Sequence, residues 1–364
     1  MTQPFTQSKL DRCISCGYCL PACPTYQLTG AEESSPRGRI TLMRAVQDAR
    51  LPLESLLPES NFCLGCRACE PVCPAGVEYG VLLEEMRDAT WQGKNKPLIV
   101  RALFLAVGST LRVRALALLS PIARKRRART DLHLMLGCFE RRLFPKVSRV
   151  VAQIEPTCSI SKDQGCCGAL HAHNGALEKG KAMAKALGEQ LPGTILTTAG
   201  GCAAHLSSVL GRDRVKEFSE WQTTNGQQLT PLTKNGKPVR IGFQDSCHLR
   251  NGMSVFNEPR TILKSLGEYI EVPDAAACCG AAGTYALLQP KNSRKVVSKK
   301  VQDIAALNLD YLATVNPGCT RQLQSELRRA GVKTKVVHLA ELVERSLFTN
   351  PSLRKPRVES SKFS

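Results

Sequence analysis

The sequence of 364 residues has little of several features that would direct its interpretation elsewhere. No uninterrupted apolar run approaches the roughly 20 residues that a transmembrane helix needs. Residues 1–11 are polar and do not read as a secretory signal, so we expect a reducing cytoplasm, in which disulfides are rare. Only 5% of the residues are aromatic, and none interleaves with the basic stretch at residues 124–129, so we expect no nucleic-acid partner. A Gly-x-Gly-x-x-Gly flavin fingerprint after a strand is also missing.

Acidic residues are also scarce, since 31 of them face 50 lysines and arginines. The excess of positive charge is local. Residues 94–150 hold 14 basic and 2 acidic residues, a balance of +12, whereas residues 1–93 hold 8 and 11. The middle of the chain is therefore a basic segment between less charged parts.

Cysteine, by contrast, is abundant, with 17 residues. Eight of them form two C-x2-C-x2-C-x3-C runs, each followed by proline: Cys13, Cys16, Cys19, Cys23 and Pro24, then Cys63, Cys66, Cys69, Cys73 and Pro74. This is the spacing of thiolates that hold two [4Fe–4S] clusters, in which the fourth cysteine of each run ligates the other cluster. Zinc sites use paired C-x2-C motifs with four ligands in all, and disulfide frameworks need an oxidising compartment.

The spacing predicts which cysteines share a cluster. The first cluster takes the three close cysteines of the first run and the last of the second: Cys13, Cys16, Cys19 and Cys73. The second cluster takes the remaining four: Cys63, Cys66, Cys69 and Cys23. Such a pair of clusters carries electrons and does not by itself transform a substrate.

Around these runs, residues 1–93 are predicted to form a small α-helical, ferredoxin-like domain. One helix carries the apolar positions Ile40, Met43 and Val46, and we expect a Pro–Gly turn at residues 35–39 to precede it. A second helix is predicted over residues 81–91. Arg37 and Arg39 are candidates for neutralising cluster charge, or else solvated residues at the helix start.

Residues 94–130 are predicted to be a basic connector. Its apolar part, residues 98–122, is interrupted by arginines, and the basic residues Arg124, Lys125, Arg126, Arg127 and Arg129 follow it. Apolar turns beside a polybasic cluster can bind the surface of an anionic membrane. The alternative is a linker helix that packs on a partner subunit or on the second domain.

The rest of the chain contains an internal repeat, predicted over residues 131–235 and 236–350, with residues 351–364 as a frayed tail. Each copy reads as strand, cysteine loop, helix, Cys-Cys-Gly, helix, strand and cysteine loop. The predicted strands are residues 132–136, 195–198, 239–243 and 312–315. Alternating strands and helices predict an α/β domain of two pseudo-repeats with parallel sheets. Cysteines at strand ends would gather at one edge of each sheet.

Each repeat supplies four cysteines, and four thiolates suffice for one cubane. The two sets are Cys138, Cys166, Cys167 and Cys202, then Cys247, Cys278, Cys279 and Cys319. Each set is a candidate for one further cluster, and the alternative is a set of reduced structural thiols. Cys158 is predicted to be a small buried residue. His171, His173 and His248 are candidates for hydrogen bonds to cluster sulfur or for proton relay, or else ordinary structural histidines.

The chain resembles the iron–sulfur subunits of glycolate oxidase, within a wider family of cysteine-rich redox subunits that includes heterodisulfide reductases and lactate-utilisation proteins. The resemblance covers roughly residues 8–345. It rests on the first cluster region, residues 19–26 and 35–40, and on the double-cysteine motifs at residues 166–170 and 278–285.

The resemblance implies an electron-transfer subunit that is inactive alone. A flavin-containing (FAD) partner would oxidise glycolate, or D-lactate, and this chain would pass the electrons toward a quinone at the inner face of the cell membrane. Heterodisulfide reductases carry a fifth cysteine in each repeat, where this chain has His205 and Gln322. The alternative function is therefore a thiol–disulfide reductase with a catalytic Cys-Cys-Gly domain, which the missing cysteines disfavour.

Overall fold

The computed structural model describes residues 3–116, 124–126 and 130–348. The predicted tail, residues 351–364, lies outside this range. So do residues 117–122 of the apolar connector, and Arg127 and Arg129 of the basic cluster.

The N-terminal domain is α-helical, as the sequence predicts. Its core packs Leu10, Ile40 and Met43 against Leu82 and Met86. The helices are α1 (Gln7–Asp11), α2 (Pro24–Thr29), α3 (Pro36–Gln47), α4 (Leu57–Phe62) and α5 (Tyr79–Thr90), with short 3-10 turns at Glu32–Ser34, Leu53–Leu56 and Gly93–Asn95.

This domain is internally duplicated. A short helix precedes each cysteine run, α1 before the first and α4 before the second, and a 12-residue helix follows each, α3 and α5. Both runs turn through the left-handed region at the second and fourth residues after their first cysteine, which are Ser15 and Gly17 in one and Gly65 and Arg67 in the other. Left-handed backbone is unusual for a residue other than glycine, so the shared conformation marks two copies of one loop.

The Pro–Gly turn predicted at residues 35–39 is wrong, because Pro36 and Gly38 lie inside α3. Proline suits the first helical position, where its missing N–H costs no hydrogen bond. Ser35 caps the helix by accepting a hydrogen bond from Gly38 N at 3.0 Å. Glycine is needed at position 38 because the helix passes close to the preceding backbone, and not because the chain turns there. A Cβ atom at Gly38 would lie 1.9 Å from Glu32 O.

Substitution of Gly38 by alanine is therefore expected to destabilise the N-terminal domain by about 3 kcal/mol, the upper range for overpacking. The backbone carbonyl of Glu32 cannot move aside as a flexible side chain would. Urea unfolding followed by circular dichroism measures the change, with Thr41→Ala on the exposed face of α3 as control. A Gly38→Ala protein as stable as the control would contradict the close approach.

The connector forms two helices, α6 (Leu98–Val107) and α7 (Thr110–Leu116). Val100, Val107 and Val113 are buried, whereas Leu98 and Leu105 are exposed. In the part of the chain that the structure describes, no helix is long and apolar enough to cross a bilayer.

The C-terminal domain has the two predicted parallel sheets. The first has the strand order β1-β2-β3, with β1 (Leu132–Leu134), β2 (Thr194–Thr197) and β3 (Val215–Glu217). An antiparallel hairpin follows, β4 (Thr233–Lys234) and β5 (Lys237–Pro238). The second sheet has the order β7-β6-β8-β9, with β6 (Arg240–Phe243), β7 (Glu268–Tyr269), β8 (Tyr311–Thr314) and β9 (Lys335–His338).

The repeat extends further than the sequence indicated. Strands β3 and β9 add a third parallel strand to each copy, beyond the two predicted. An isolated parallel bridge between His133 and Ser159 takes the place in the first copy that β7 takes in the second. Residues of both sheets, such as Leu196 and Phe243, belong to one hydrophobic core.

Helices cover the sheets and carry the cysteine loops. In the first copy they are α8 (Glu140–Leu143), α9 (Pro145–Ile154), α10 (Ala169–Ala172), α11 (Leu177–Gln190), α12 (Gly200–Leu210) and α13 (Phe218–Asn225). In the second copy they are α14 (Cys247–Met253), α15 (Asn257–Leu266), α16 (Tyr285–Leu288), α17 (Pro290–Ala306), α18 (Pro317–Arg329) and α19 (Leu339–Phe348).

Candidate metal centres

A small cavity at the surface is lined by three cysteines of the first run, together with Cys69 and Cys73 of the second. Its wall contains all four thiols that the spacing assigns to the first cluster: Cys13, Cys16, Cys19 and Cys73. Arg37 also lines this cavity and donates a hydrogen bond to Ser15 O at 2.9 Å. Cys16 is exposed, and its neighbours Ile14 and Tyr18 are each 67% exposed.

A second cavity, in the interior, is lined by three cysteines of the second run, together with Cys23 of the first. Its wall contains the other four thiols: Cys23, Cys63, Cys66 and Cys69. Arg39, which is fully buried, lines the same cavity and forms an ion pair with Glu59 at 2.9 Å. Both candidate arginines thus line the cavities, Arg39 as a buried residue and Arg37 as a partly exposed residue of the first turn of α3 that also pairs with Glu32.

These cavities fit iron–sulfur clusters by the state and surroundings of their thiols. Burial raises the pKa of the Cys66 and Cys69 thiols well above that of a free cysteine. Such thiols keep their protons at neutral pH unless a metal displaces them. Backbone N–H groups also point at sulfur, from Gly65 to Cys63 Sγ at 3.4 Å and from Val77 to Cys73 Sγ at 3.5 Å.

The other eight candidate thiols line one large cavity between the N-terminal domain and the two repeats, with a volume of about 580 Å³. They sit in the loops and first helical turns after the parallel strands, as the sequence predicts: Cys138, Cys166, Cys167 and Cys202 from the first copy, and Cys247, Cys278, Cys279 and Cys319 from the second. The second cluster loop reaches the same cavity through Leu64, Gly65 and Arg67.

In the first copy the four thiols contact one another in pairs. Cys138 Sγ lies 3.3 Å from Cys166 Sγ, and Cys167 Sγ lies 3.2 Å from Cys202 Sγ. Hydrogen bonds from Cys138 and Cys167 lower the pKa of Cys166. The same hydrogen bonding, together with burial, raises the pKa of Cys138 and Cys167.

In the second copy the thiols are again linked. Hydrogen bonds from Cys278, and then from the adjacent His248, lower the pKa of Cys247 to about 5 against the effect of burial. Asn316 Nδ2 donates to Cys319 Sγ at 3.6 Å. Each copy therefore favours a thiolate within a group of four sulfurs, which is the chemistry that metal ligation and thiol exchange both need.

Within the described ranges, no group of three or more His, Cys, Asp and Glu side chains converges as a single metal ion would require. Cys158 is buried, as expected, and accepts a hydrogen bond from Arg126 Nη2 at 3.0 Å.

The three candidate histidines have different surroundings. His248 Nδ1 lies 3.5 Å from Sγ of the candidate ligand Cys247. His173 instead pairs through Nδ1 with Glu84 Oε1 at 2.7 Å, and its ring centroid lies 4.9 Å from that of His248. His171 stacks on Phe104 at 4.1 Å, and burial lowers its pKa to about 4, so it is neutral at physiological pH.

At the two positions where related reductases have a fifth cysteine, the side chains of this chain form hydrogen bonds to neighbouring helices. His205 is buried in α12, and its Nε2 donates to Gly180 O at 3.3 Å. Gln322 Nε2 donates to Ser293 Oγ at 3.0 Å. Both side chains therefore serve packing and hydrogen bonding between helices.

Two family models match the chain in the parts just described. The 4Fe-4S dicluster domain matches residues 9–77, and the cysteine-rich domain matches twice, at residues 133–207 and 241–324. The protein is therefore an iron–sulfur electron-transfer protein with 4Fe–4S clusters in its N-terminal domain.

Similarity to curated proteins extends over nearly the whole chain. The chain is 32% identical to the probable glycolate oxidase iron-sulfur subunit of Bacillus subtilis, over 93% of this chain and 94% of the relative. It is also 32% identical to the glycolate oxidase iron-sulfur subunit of Escherichia coli, over 93% and 95%. Lactate utilization protein A 2 of Bacillus cereus is 27% identical, over 59% and 98%. The chain belongs to the family of glycolate oxidase iron–sulfur subunits.

Proposed function

We propose that the chain carries electrons from a flavin-containing partner subunit, which oxidises glycolate to glyoxylate, toward a quinone. The observation that supports this is the series of thiol sites: an exposed one at Cys16, an interior one at Cys66, and a cavity lined by eight more thiols. Glycolate oxidation releases two electrons and two protons, which reduce a quinone to a quinol. The clusters, when bound, carry these electrons one at a time.

The ligand sets are proposed as the spacing gives them. Cys13, Cys16, Cys19 and Cys73 hold the first cluster, and Cys63, Cys66, Cys69 and Cys23 hold the second. Each Cys-Cys-Gly copy holds one further cluster on its four thiols. The chain's own groups shape these sites: Gly65 and Val77 direct N–H groups at the sulfurs.

The decisive experiment is anaerobic affinity purification of the full chain from its native host. Eluted flavin is quantified, and quinone reduction is assayed with glycolate and with D-lactate. Co-eluting flavin with glycolate-driven activity supports the proposal, and a D-lactate preference would reassign the substrate to that of the lactate-utilisation relatives. A chain that elutes alone and without flavin would overturn it.

The sulfur contacts in the first repeat favour one other function, thiol–disulfide reduction. Sγ of Cys138 and Sγ of Cys166 lie 3.3 Å apart, so these two thiols could be oxidised to a disulfide while a substrate disulfide is reduced to two thiols. An added electron donor, such as a reduced viologen, would supply the two electrons that restore them, and this function predicts donor-dependent disulfide turnover by the flavin-free chain.

We propose that the protein binds the cytoplasmic face of the membrane through the exposed side of α6. Leu98, Arg101, Ala102 and Leu105 are exposed and follow the i, i+3, i+4, i+7 spacing of one helix face. Leu98 and Leu105 are 79% and 62% exposed. The opposite face packs inward, where Phe104 meets His171. An exposed helix face that combines two leucines with an arginine suits an anionic lipid surface.

The double substitution Leu98→Ser and Leu105→Ser is therefore expected to lower binding to anionic vesicles about tenfold. The reason is that the two leucine side chains that would insert into the lipid are lost. Co-sedimentation with phosphatidylglycerol-containing vesicles measures binding. Leu51→Ser, at another exposed leucine, is the matched control. Equal binding by both variants would exclude α6 as the contact, and equal binding to neutral vesicles would exclude the electrostatic contribution.

A further inference from the structure

In each half of the N-terminal domain, an arginine donates a hydrogen bond to the backbone carbonyl of the first cysteine of the run. Arg44 Nη2 donates to Leu10 O at 2.6 Å and to Cys13 O at 2.8 Å. Arg87 Nη2 donates to Cys63 O at 2.6 Å, and its Nε donates at 3.2 Å to the carbonyl three residues earlier. Both arginines thus bind the same two carbonyls of a duplicated loop, and they form a matched pair.

The pair differs in what else each arginine contacts. Arg44 is half-buried, whereas Arg87 is only 8% exposed. The remaining nitrogen of Arg87, Nη1, donates to His173 O at 2.9 Å, across the junction with the first cysteine-rich repeat. Arg87 also lines the large thiol cavity. The second arginine therefore joins the second cluster loop to the C-terminal domain, and the first arginine has no such role among the contacts described.

The guanidinium of Arg87 has no carboxylate as a direct partner among the contacts described. Its hydrogen bonds go to carbonyl oxygens, and among the described residues no carboxylate lies within ion-pair distance of it. Arg39, the other buried arginine at this loop, is paired with Glu59 at 2.9 Å. Glu84, which pairs with His173, attracts Arg87 through space without forming an ion pair with it, so the charge of Arg87 is less directly offset at the second thiol site than that of Arg39.

The second repeat holds the same loop from the other side. Asn251 Nδ2 donates to Cys66 O at 2.9 Å, and Cys66 packs with Cys278 and Tyr285 in one buried cluster. The second loop is thus fixed between both repeats, while the first loop faces solvent at Cys16. In the proposed route, the second site therefore stands between the first site and the large cavity.

We propose that Arg87 is a positioning residue that raises the reduction potential of the second cluster and fixes its loop against the cysteine-rich domain. The proposal rests on the proposed electron-transfer route, whose interior step it describes. A reduced cluster carries one more negative charge, and an unpaired buried cation stabilises that charge more strongly than an exposed one does. The second cluster is then a better electron acceptor than it would be without Arg87.

The test is an anaerobic redox titration of the full, cluster-loaded chain, followed by electron paramagnetic resonance. The second cluster is identified as the signal that Cys66→Ser removes. Arg87→Gln and Arg87→Met are expected to lower the midpoint potential of the second cluster. At the wild-type midpoint, the ratio of reduced to oxidised second cluster should fall about tenfold, which corresponds to 59 mV for one electron. Arg87→Lys keeps the positive charge, so the midpoint potential of the second cluster should stay close to that of the wild type. Arg44→Gln, the matched control, leaves the second cluster unchanged.

A second cluster that titrates as in the wild type in both neutral variants would overturn the proposal, and so would a shift in Arg87→Lys as large as theirs. If both neutral variants lose the cluster, Arg87→Lys decides: a wild-type midpoint supports the role of charge and a lowered one rejects it. The titration needs neither glycolate nor a partner, so its failure is distinct from a failure of the proposed function.

Discussion

Replacement of Cys73 by serine is expected to remove the cluster of the first run, although Cys73 belongs to the second. Its sulfur lines the surface cavity with Cys13, Cys16 and Cys19. A cubane that loses one of four thiolate ligands is poorly held, so the iron content should fall by about 4 per chain. Iron analysis and electron paramagnetic resonance of anaerobically purified protein measure the loss.

The sharp form of this test compares pairs of variants. Cys73→Ser and Cys16→Ser should leave the same residual spectrum, that of the second cluster. Cys23→Ser and Cys66→Ser should leave the other, that of the first. If Cys73→Ser instead resembles Cys66→Ser, each run holds its own cluster and the exchanged ligand sets are wrong. Because each comparison is between two serine variants, a general loss of stability affects both members alike.

The second large effect concerns the Cys-Cys-Gly sites. With a cluster in each copy, the wild-type chain should contain about 16 irons, against about 8 with the N-terminal clusters alone. Cys167→Ser and Cys279→Ser should each remove about 4 irons, because both thiols are buried and each belongs to one of the two proposed sets of four ligands. The iron-to-protein ratio of the intact, folded chain measures this.

The matched control for these variants is Cys158→Ser. Cys158 is buried near the same sheet, but its sulfur bonds Arg126 at 3.0 Å and lies outside the cavity of the eight thiols. Cys158→Ser should therefore leave the iron content unchanged. A wild-type content near 8 irons, in a chain whose fold is intact, would contradict the further clusters and leave these thiols free for exchange chemistry.

Local sequence signals were sufficient for much of this architecture. The helical cluster domain and the parallel sheets follow from cysteine spacing and from alternating apolar strands, and the structure and the family models confirm both. The strand bounds shift by only one or two residues, as with β1, which ends at Leu134 and not at residue 136. Strand ends are set by where pairing stops, which the apolar pattern does not record.

The sequence could not predict features that depend on contacts between distant segments. The third strands, β3 and β9, are short, and their pairing with β2 and β8 gives little local signal. Arg87 reads as an ordinary helix residue, because its partner His173 is 86 positions away. The spacing of Arg44 and Arg87 from their cysteine runs differs, 31 and 24 positions, so no repeat in the sequence points to them.

The enclosure of the second loop also bears on how the protein matures. With Asn251 bonded to Cys66 O and Arg87 bonded to His173 O, both repeats close over the thiols of that loop. We therefore expect iron and sulfide to enter the second site before the C-terminal domain docks, whereas the first site stays accessible afterwards, at the exposed Cys16. Assembly of the clusters would then follow an order, with the interior cluster first.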